Sequence, residues 1–175
     1  MGAVSYRLSA RLPYQVAAVC YRRGTSGIEF LLVNTDGGRW TFPKGGIEPH
    51  LSPSEAAANE ALEEAGAVGT VDRAHFHVYL HSKGVFWKKR GVRQFAVKAF
   101  LLEVRRAGTP EEPLRNPTWF NAEEAKAALR QRRPIKYSRE LCAVIQLAVR
   151  EILGRPAPCP APLLGGHPSL GRHSL

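Results

Sequence analysis

The sequence predicts an α+β fold, an α/β/α sandwich in which a mixed β-sheet lies between helices. Three observations carry this. β-rich runs stand on both sides of one central Ala- and Glu-rich segment, two more helical segments follow it, and 175 residues make one domain's length. Apolar residues are 44% of the chain, an ordinary globular fraction and too high for overall disorder.

In chain order, residues 15–21 and 28–35 are apolar, β-rich runs. The loop between them holds Gly24 and Gly27, so a hairpin is expected. Thr35-Asp-Gly-Gly then reads as a turn into Trp40-Thr-Phe-Pro-Lys-Gly-Gly. Residues 53–65 predict a helix specified from both ends. Ser52 is an N-cap, Pro53 stands at N1, Glu55 at N3 can close a capping box, and Gly66 follows where a C′ glycine belongs. Residues 75–81 and 94–104 predict two longer strands joined by a basic loop.

Residues 121–129 read as a short helix, opened by Asn121 with Glu124 three positions on. The last helix is expected over 138–153. Leu141, Val144, Ile145, Ala148, Val149 and Ile152 form its amphipathic stripe, which is core packing. From Gly154 onward nine of 22 residues are Pro or Gly without periodicity, too little apolar surface to offset ordering entropy. Residues 1–153 are therefore expected to form the domain and 154–175 a disordered tail. No repeat of 20–50 residues is visible.

Charge is the outlying property: 25 Lys+Arg against 15 Asp+Glu give a formal +10. Such an excess favours an anionic partner: nucleic acid, a membrane surface or a phosphate-rich small molecule. No stretch approaches 18 apolar residues, so a membrane-spanning helix is not expected. Cys20, Cys142 and Cys159 are odd in number and form no CxxC, which excludes a disulfide framework and a zinc ribbon. A reducing, cytoplasmic setting is the simplest reading. The acid-free first 24 residues weakly resemble a transit peptide, but the apolar stretch 16–20 is too short for a signal and reads as a strand. No targeting segment is assigned.

The central helix carries the chemistry. Glu60, Glu63 and Glu64 stand at i, i+3 and i+4, within one arc about 100° wide, and residues 53–65 contain no Lys or Arg. Carboxylates about 5–6 Å apart repel by roughly 1 kcal/mol in water and by more at lower dielectric. Hard divalent cations, Mg²⁺ or Mn²⁺, would relieve that repulsion. Gly45 and Gly46 precede the helix, where backbone carbonyls can approach a cation closely. Arg39 and Lys44 flank the loop and can meet phosphate oxygens. A carboxylate cluster beside a glycine loop with cationic flanks suits phosphoryl chemistry.

Residues 45–67, from Gly45-Gly-Ile-Glu-Pro-His through Asn59-Glu-Ala-Leu-Glu-Glu-Ala-Gly-Ala, resemble the Nudix box, G-x5-E-x7-R-E-U-x-E-E-x-G-U. Gly45, Glu60, Glu63, Glu64 and Gly66 fall on its fixed positions, and Ala61 and Ala67 on the aliphatic ones. Trp40-Thr-Phe-Pro-Lys-Gly-Gly upstream and Trp119-Phe-Asn-Ala-Glu-Glu-Ala downstream extend the resemblance over about residues 14 to 150. Leu51 replaces the first Glu of the box and Asn59 its Arg, and an Asn amide orients a neighbouring carboxylate less well than a guanidinium. That change bears on catalytic efficiency.

The resemblance implies a Nudix sandwich that hydrolyses a diphosphate linked to another moiety. It implies one to three Mg²⁺ or Mn²⁺ ions held by Glu60, Glu63 and Glu64 with the Gly45 carbonyl, and those same carboxylates as the catalytic set. Between Arg73 and Gly108 nine Lys+Arg face a single acid, Glu103. The loop with Lys83, Lys88, Lys89, Arg90 and Arg93 is the centre of that excess, and it reads either as a solvated hairpin with edge-blocking lysines or as an electrostatic approach for an anionic substrate. With Arg39 and Lys44, these are the expected substrate-binding residues. Phe86 and Trp87 in the same loop can stack on a base or anchor the strand ends.

Dinucleoside or diphosphoinositol polyphosphates are the favoured substrates. The alternatives are a nucleoside triphosphate or 5′-triphosphate RNA, or a weakened module binding RNA or nucleotides. Three mutually repelling carboxylates argue against a module without turnover.

Overall fold

A computed structural model describes residues 13–83 and 93–155, with backbone alone at 82, 83 and 93. The strands are β1 (Tyr14–Gly24), β2 (Gly27–Asn34), β3 (Trp40–Thr41), β4 (Lys44–Gly45), β5 (Ala67–Val71), β6 (His77–Lys83), β7 (Arg93–Ala107) and β8 (Thr118–Asn121). The helices are α1 (Pro53–Ala65), α2 (Ala122–Arg130) and α3 (Ile135–Leu153), with a 3₁₀ turn at Pro113–Arg115. The sheet order is β3-β2-β1-β7-β5, with β4 on β1, β6 on β7 and β8 on β2. β1 and β7 run parallel while the other pairs are antiparallel. The expected mixed sheet is what forms.

β1 is buried from Val16 to Tyr21 because it is covered on both faces. Its side chains alternate between two cores. Ala17, Val19 and Tyr21 join Val97, Ala99 and Leu101 beneath α2 and α3, whose stripe Leu141, Val144, Ile145, Ala148 and Ile152 lies there. Val16, Ala18 and Cys20 join Phe100 and Leu102 beneath α1, which contributes Ala56, Ala57, Ala61 and Ala65. The period of two thus divides one strand between two helical layers. Burial pushes the Cys20 thiol up to about 12, which keeps it protonated and inert.

The β1–β2 hairpin extends further than the sequence suggests, to Gly24 opposite Gly27. Gly27 takes φ +119°, a value that side chains rarely adopt. β5 and β8 were not expected as strands. β5 starts directly after Gly66 and pairs along β7 with a bulge at Val68/Gly69, too short and irregular to show a period. β8 aligns on β2, with Phe120 opposite Phe30, ahead of the Asn121 cap.

α3 begins at Ile135, three residues before the stripe suggests. Pro134 fixes the entry with φ −58°, and Ile135 is 69% exposed, off the apolar face that marks the helix in the sequence. Just past α3, Arg155 donates to both Asp72 carboxylate oxygens and ties the helix end to the segment after β5. Residues 156–175 and the loop residues Phe86, Trp87, Lys88, Lys89 and Arg90 lie outside the described residues. Among the described residues no helix is long and apolar enough to cross a membrane.

Candidate active site

The glycine loop is fixed to the middle of the sheet. β4 pairs with β1 at Val16–Gly45 and Ala17–Lys44, and the Ala18 N–H donates to the Pro43 carbonyl at 2.9 Å. α1 lies against this loop. Its sheet-facing residues are alanines, whose small side chains let the helix approach closely. The N-terminus is held by the expected capping box: the Glu55 N–H donates to Ser52 Oγ at 3.4 Å, and the Ser52 N–H to Glu55 Oε2 at 2.8 Å. At the other end Gly66 takes φ +61° and donates to the Leu62 carbonyl at 2.9 Å.

This placement brings Glu60 and Glu64 to Lys44 and Gly45. Glu64 is buried, and its Oε2 accepts the Lys44 backbone N–H at 3.2 Å. Its Oε1 meets Arg115 Nη2 at 2.8 Å. The Glu60 carboxylate lies where a side chain at position 45 would be, since a Cβ there would stand 1.8 Å from Glu60 Oε1. Glycine at 45 is therefore a steric requirement of the site. Glu63 is engaged elsewhere, its Oε1 accepting from Asn59 Nδ2 at 2.8 Å.

The electrostatics follow from crowding acids under partial burial. Burial, then the charges of Glu64 and Glu63, push Glu60 up to about 7, against the pull of Lys44. Glu64 is raised as well, by burial first, although Arg115 and Lys44 favour its charge. Burial opposes the Arg115 charge, but its bond to Glu112 and the nearby Glu64 prevail and raise its pKa.

Of the residues singled out from the sequence, Gly45, Lys44, Glu60 and Glu64 stand together, with Glu63 on the adjoining face of α1. Arg39 closes the turn after β2, where its N–H donates to Thr35 Oγ1 at 3.2 Å. Lys83 and Arg93 are register partners at the open end of the β6–β7 pair. Lys88, Lys89 and Arg90 lie outside the described residues.

The structure adds groups that the sequence reading missed. Arg115 and Glu112 reach the carboxylates from the 3₁₀ turn; their only trace in the sequence is an acid and a base three residues apart. Arg133, beside Arg39, is lowered to about 10 by burial and by the Arg39 charge. Arg132, at φ 54°, lays its guanidinium against Gly38. Among the described residues neither Arg39 nor Arg133 is ion-paired with an acid.

The two departures from the box have a local account. Leu51, in place of an acid, packs against the core beneath α1. With Asn59, Leu62, Val68 and Leu102 it lines a surface depression of about 280 Å³ that contains none of Glu60, Glu63 or Glu64. An acid at 51 would gain no hydrophobic contact there.

Among the described residues no three His, Cys, Asp or Glu side chains are already gathered at ligating distance. Arg115 and the Lys44 N–H hold Glu64, and Asn59 holds Glu63. The donor chemistry nonetheless fits a hard divalent cation: the Glu60 carboxylate lies against the Gly45 backbone that only the absence of a Cβ leaves open, and the Glu64 carboxylate is held beside it at Lys44.

A three-layer sandwich with a glycine loop feeding a capped, Glu-bearing helix is the architecture of Nudix proteins. The family model of the NUDIX domain matches residues 13–140, and the chain belongs to the Nudix hydrolase family. It is 32% identical over 122 residues to "Nudix hydrolase 18, mitochondrial" of Arabidopsis thaliana, a match covering 68% of this chain and 66% of that protein. The chain thus spans slightly less than two thirds of that relative. It is 31% identical over 127 residues to mouse "Diphosphoinositol polyphosphate phosphohydrolase 3-alpha", covering 69% and 71%. In fold it is similar to a C. elegans Ap4A hydrolase, with TM-score 0.56 and 21% identity over 82% of this chain and all of that one.

Proposed function

We propose that this chain hydrolyses a phosphoanhydride bond in an anionic polyphosphate with the help of Mg²⁺ or Mn²⁺. The observation that carries the reading is the Glu60–Glu64 pair pressed against Lys44 and Gly45. Glu60, Glu64 and the Gly45 carbonyl would hold the cation, with Glu63 at the margin. Such an ion would supply positive charge for the pyrophosphate oxygens and lower the pKa of a water. The protein's own part is to fix the two carboxylates, accept the water's proton on a carboxylate, and orient the phosphate chain with Lys44.

Two further cations, Arg39 and Arg133, favour a multiply charged substrate. They stand near each other and, among the described residues, pair with no acid, which suits phosphate oxygens. The relative named as a diphosphoinositol polyphosphate phosphohydrolase supports the same class, as does the excess of base between Arg73 and Gly108. Phosphate release from diadenosine polyphosphates, diphosphoinositol polyphosphates and 5′-triphosphate RNA, measured side by side, tests the reading. Turnover of one of the first two classes is expected. No turnover of any substrate with Mg²⁺ or Mn²⁺, together with salt-sensitive RNA binding, would replace hydrolysis with a binding role.

A further inference from the structure

α1 carries four acids, Glu55 at its cap and Glu60, Glu63 and Glu64 at the site, and no base, and its Asn59 offers Glu63 a neutral amide. The buried Glu64 takes a guanidinium from far along the chain, Arg115 in the 3₁₀ turn. All three nitrogens of that guanidinium are engaged. Nη2 meets Glu64 Oε1 at 2.8 Å, Nε meets Glu112 Oε2 at 2.5 Å, and Nη1 donates to the Asn34 carbonyl at 3.4 Å. The turn is itself anchored to α1, the Glu112 N–H donating to the Glu63 carbonyl at 3.0 Å.

Hydrophobic packing does not account for this placement. No residue of the turn is buried, and Leu114 is 90% exposed. The segment is held by the Arg115–Glu64 ion pair and by hydrogen bonds to the backbone carbonyls of Asn34 and Glu63. A guanidinium fixed on three sides restrains a carboxylate far better than a lone amide or a flexible ammonium.

We propose that Arg115 is the positioning residue of this site, holding the Glu64 carboxylate aligned beside Glu60, a task that the neutral Asn59 cannot perform from within the helix. Without Arg115, an oxygen of the buried Glu64 carboxylate loses its charged donor, and the carboxylate is free to turn away from Glu60. The inference rests on the divalent-cation site of the proposed function.

The test is Mn²⁺ binding to the full chain without substrate, by calorimetry or by the loss of the free-ion paramagnetic resonance signal. Arg115→Ala is expected to weaken Mn²⁺ binding by about 10- to 100-fold, as loss of a ligand-orienting partner does. Arg115→Lys should fall between it and wild type. Millimolar guanidinium chloride should restore part of the affinity of Arg115→Ala, and sodium chloride at equal ionic strength should not. A purely structural role would not respond to that distinction. Affinity within twofold of wild type in a folded Arg115→Ala overturns the proposal, as does tighter binding, which would make the guanidinium a competitor of the metal. If Glu60→Gln and Glu64→Gln also leave Mn²⁺ affinity unchanged, the cation site itself falls, and the proposed function with it.

Discussion

Glu60 is where burial and like charge meet most directly. Its carboxyl sits at about 7 because the buried, acid-crowded environment disfavours the charged form. The folded state therefore binds this proton more tightly than the unfolded chain, in which a glutamate titrates near 4.3. Native stability held by the proton is fully present below the unfolded value and is lost as pH rises through about 7. In EDTA, the melting temperature should fall between pH 5 and pH 8, and Glu60→Gln should flatten that fall. A melting temperature that climbs over the same range in the wild type would mean that other groups outweigh the site.

Gly45 gives a second prediction at this scale. Gly45→Ala forces the Glu60 carboxylate out of its position. Steady-state kinetics should give a kcat about 10- to 100-fold lower, the effect of a roughly 1 Å misplacement of a reacting group.

At the scale of elements, α1 was legible in full because every signal agreed. Its cap, N1 proline, alanine face and C′ glycine appear in sequence and structure at the same residues. Ser52→Ala removes the side-chain cap and should cost about 1 kcal/mol in denaturant unfolding. Gly66→Ala should cost more. It places a side chain at φ +61° and brings a Cβ to 2.4 Å from the Gly108 carbonyl oxygen, so both the C-cap and the close approach of the segment that follows β7 are lost.

Elements whose stability comes from partners were harder to read. β5 is five residues interrupted by Gly69, where a Cβ would stand 1.9 Å from the Glu103 carbonyl oxygen. The glycine is there for close backbone approach, and that reason is invisible until β7 is beside it. The start of α3 was missed for a related cause, because Pro134 and the exposed Ile135 carry no apolar period.

Across the whole molecule, local signals located the carboxylates and tertiary structure located their counter-charges. Glu60 and Glu64 could be read from helical spacing. Arg115 could not, because only the path from β7 through the 3₁₀ turn brings it to α1. Arg133 likewise reaches Arg39 through the turn between α2 and α3. The basic stretch from Arg73 to Gly108 includes the paired strands β6 and β7, and any pull it exerts on an anionic substrate would act at long range. The triple substitution Lys88/Lys89/Arg90→Ala should raise KM for the best polyphosphate substrate and lessen its dependence on salt, with kcat little changed. An unchanged KM would remove this loop from substrate capture.

Cation-assisted hydrolysis of a phosphoanhydride at the Glu60–Glu64 pair, fixed against Lys44 and Gly45, is the proposed reaction. Its most direct test is phosphate release from a polyphosphate substrate by wild type and by Glu64→Gln, each in Mg²⁺ and in EDTA. Release by the wild type in Mg²⁺ alone, abolished in a folded Glu64→Gln, is the predicted result. Release that persists in EDTA, or that survives Glu64→Gln undiminished, would contradict it.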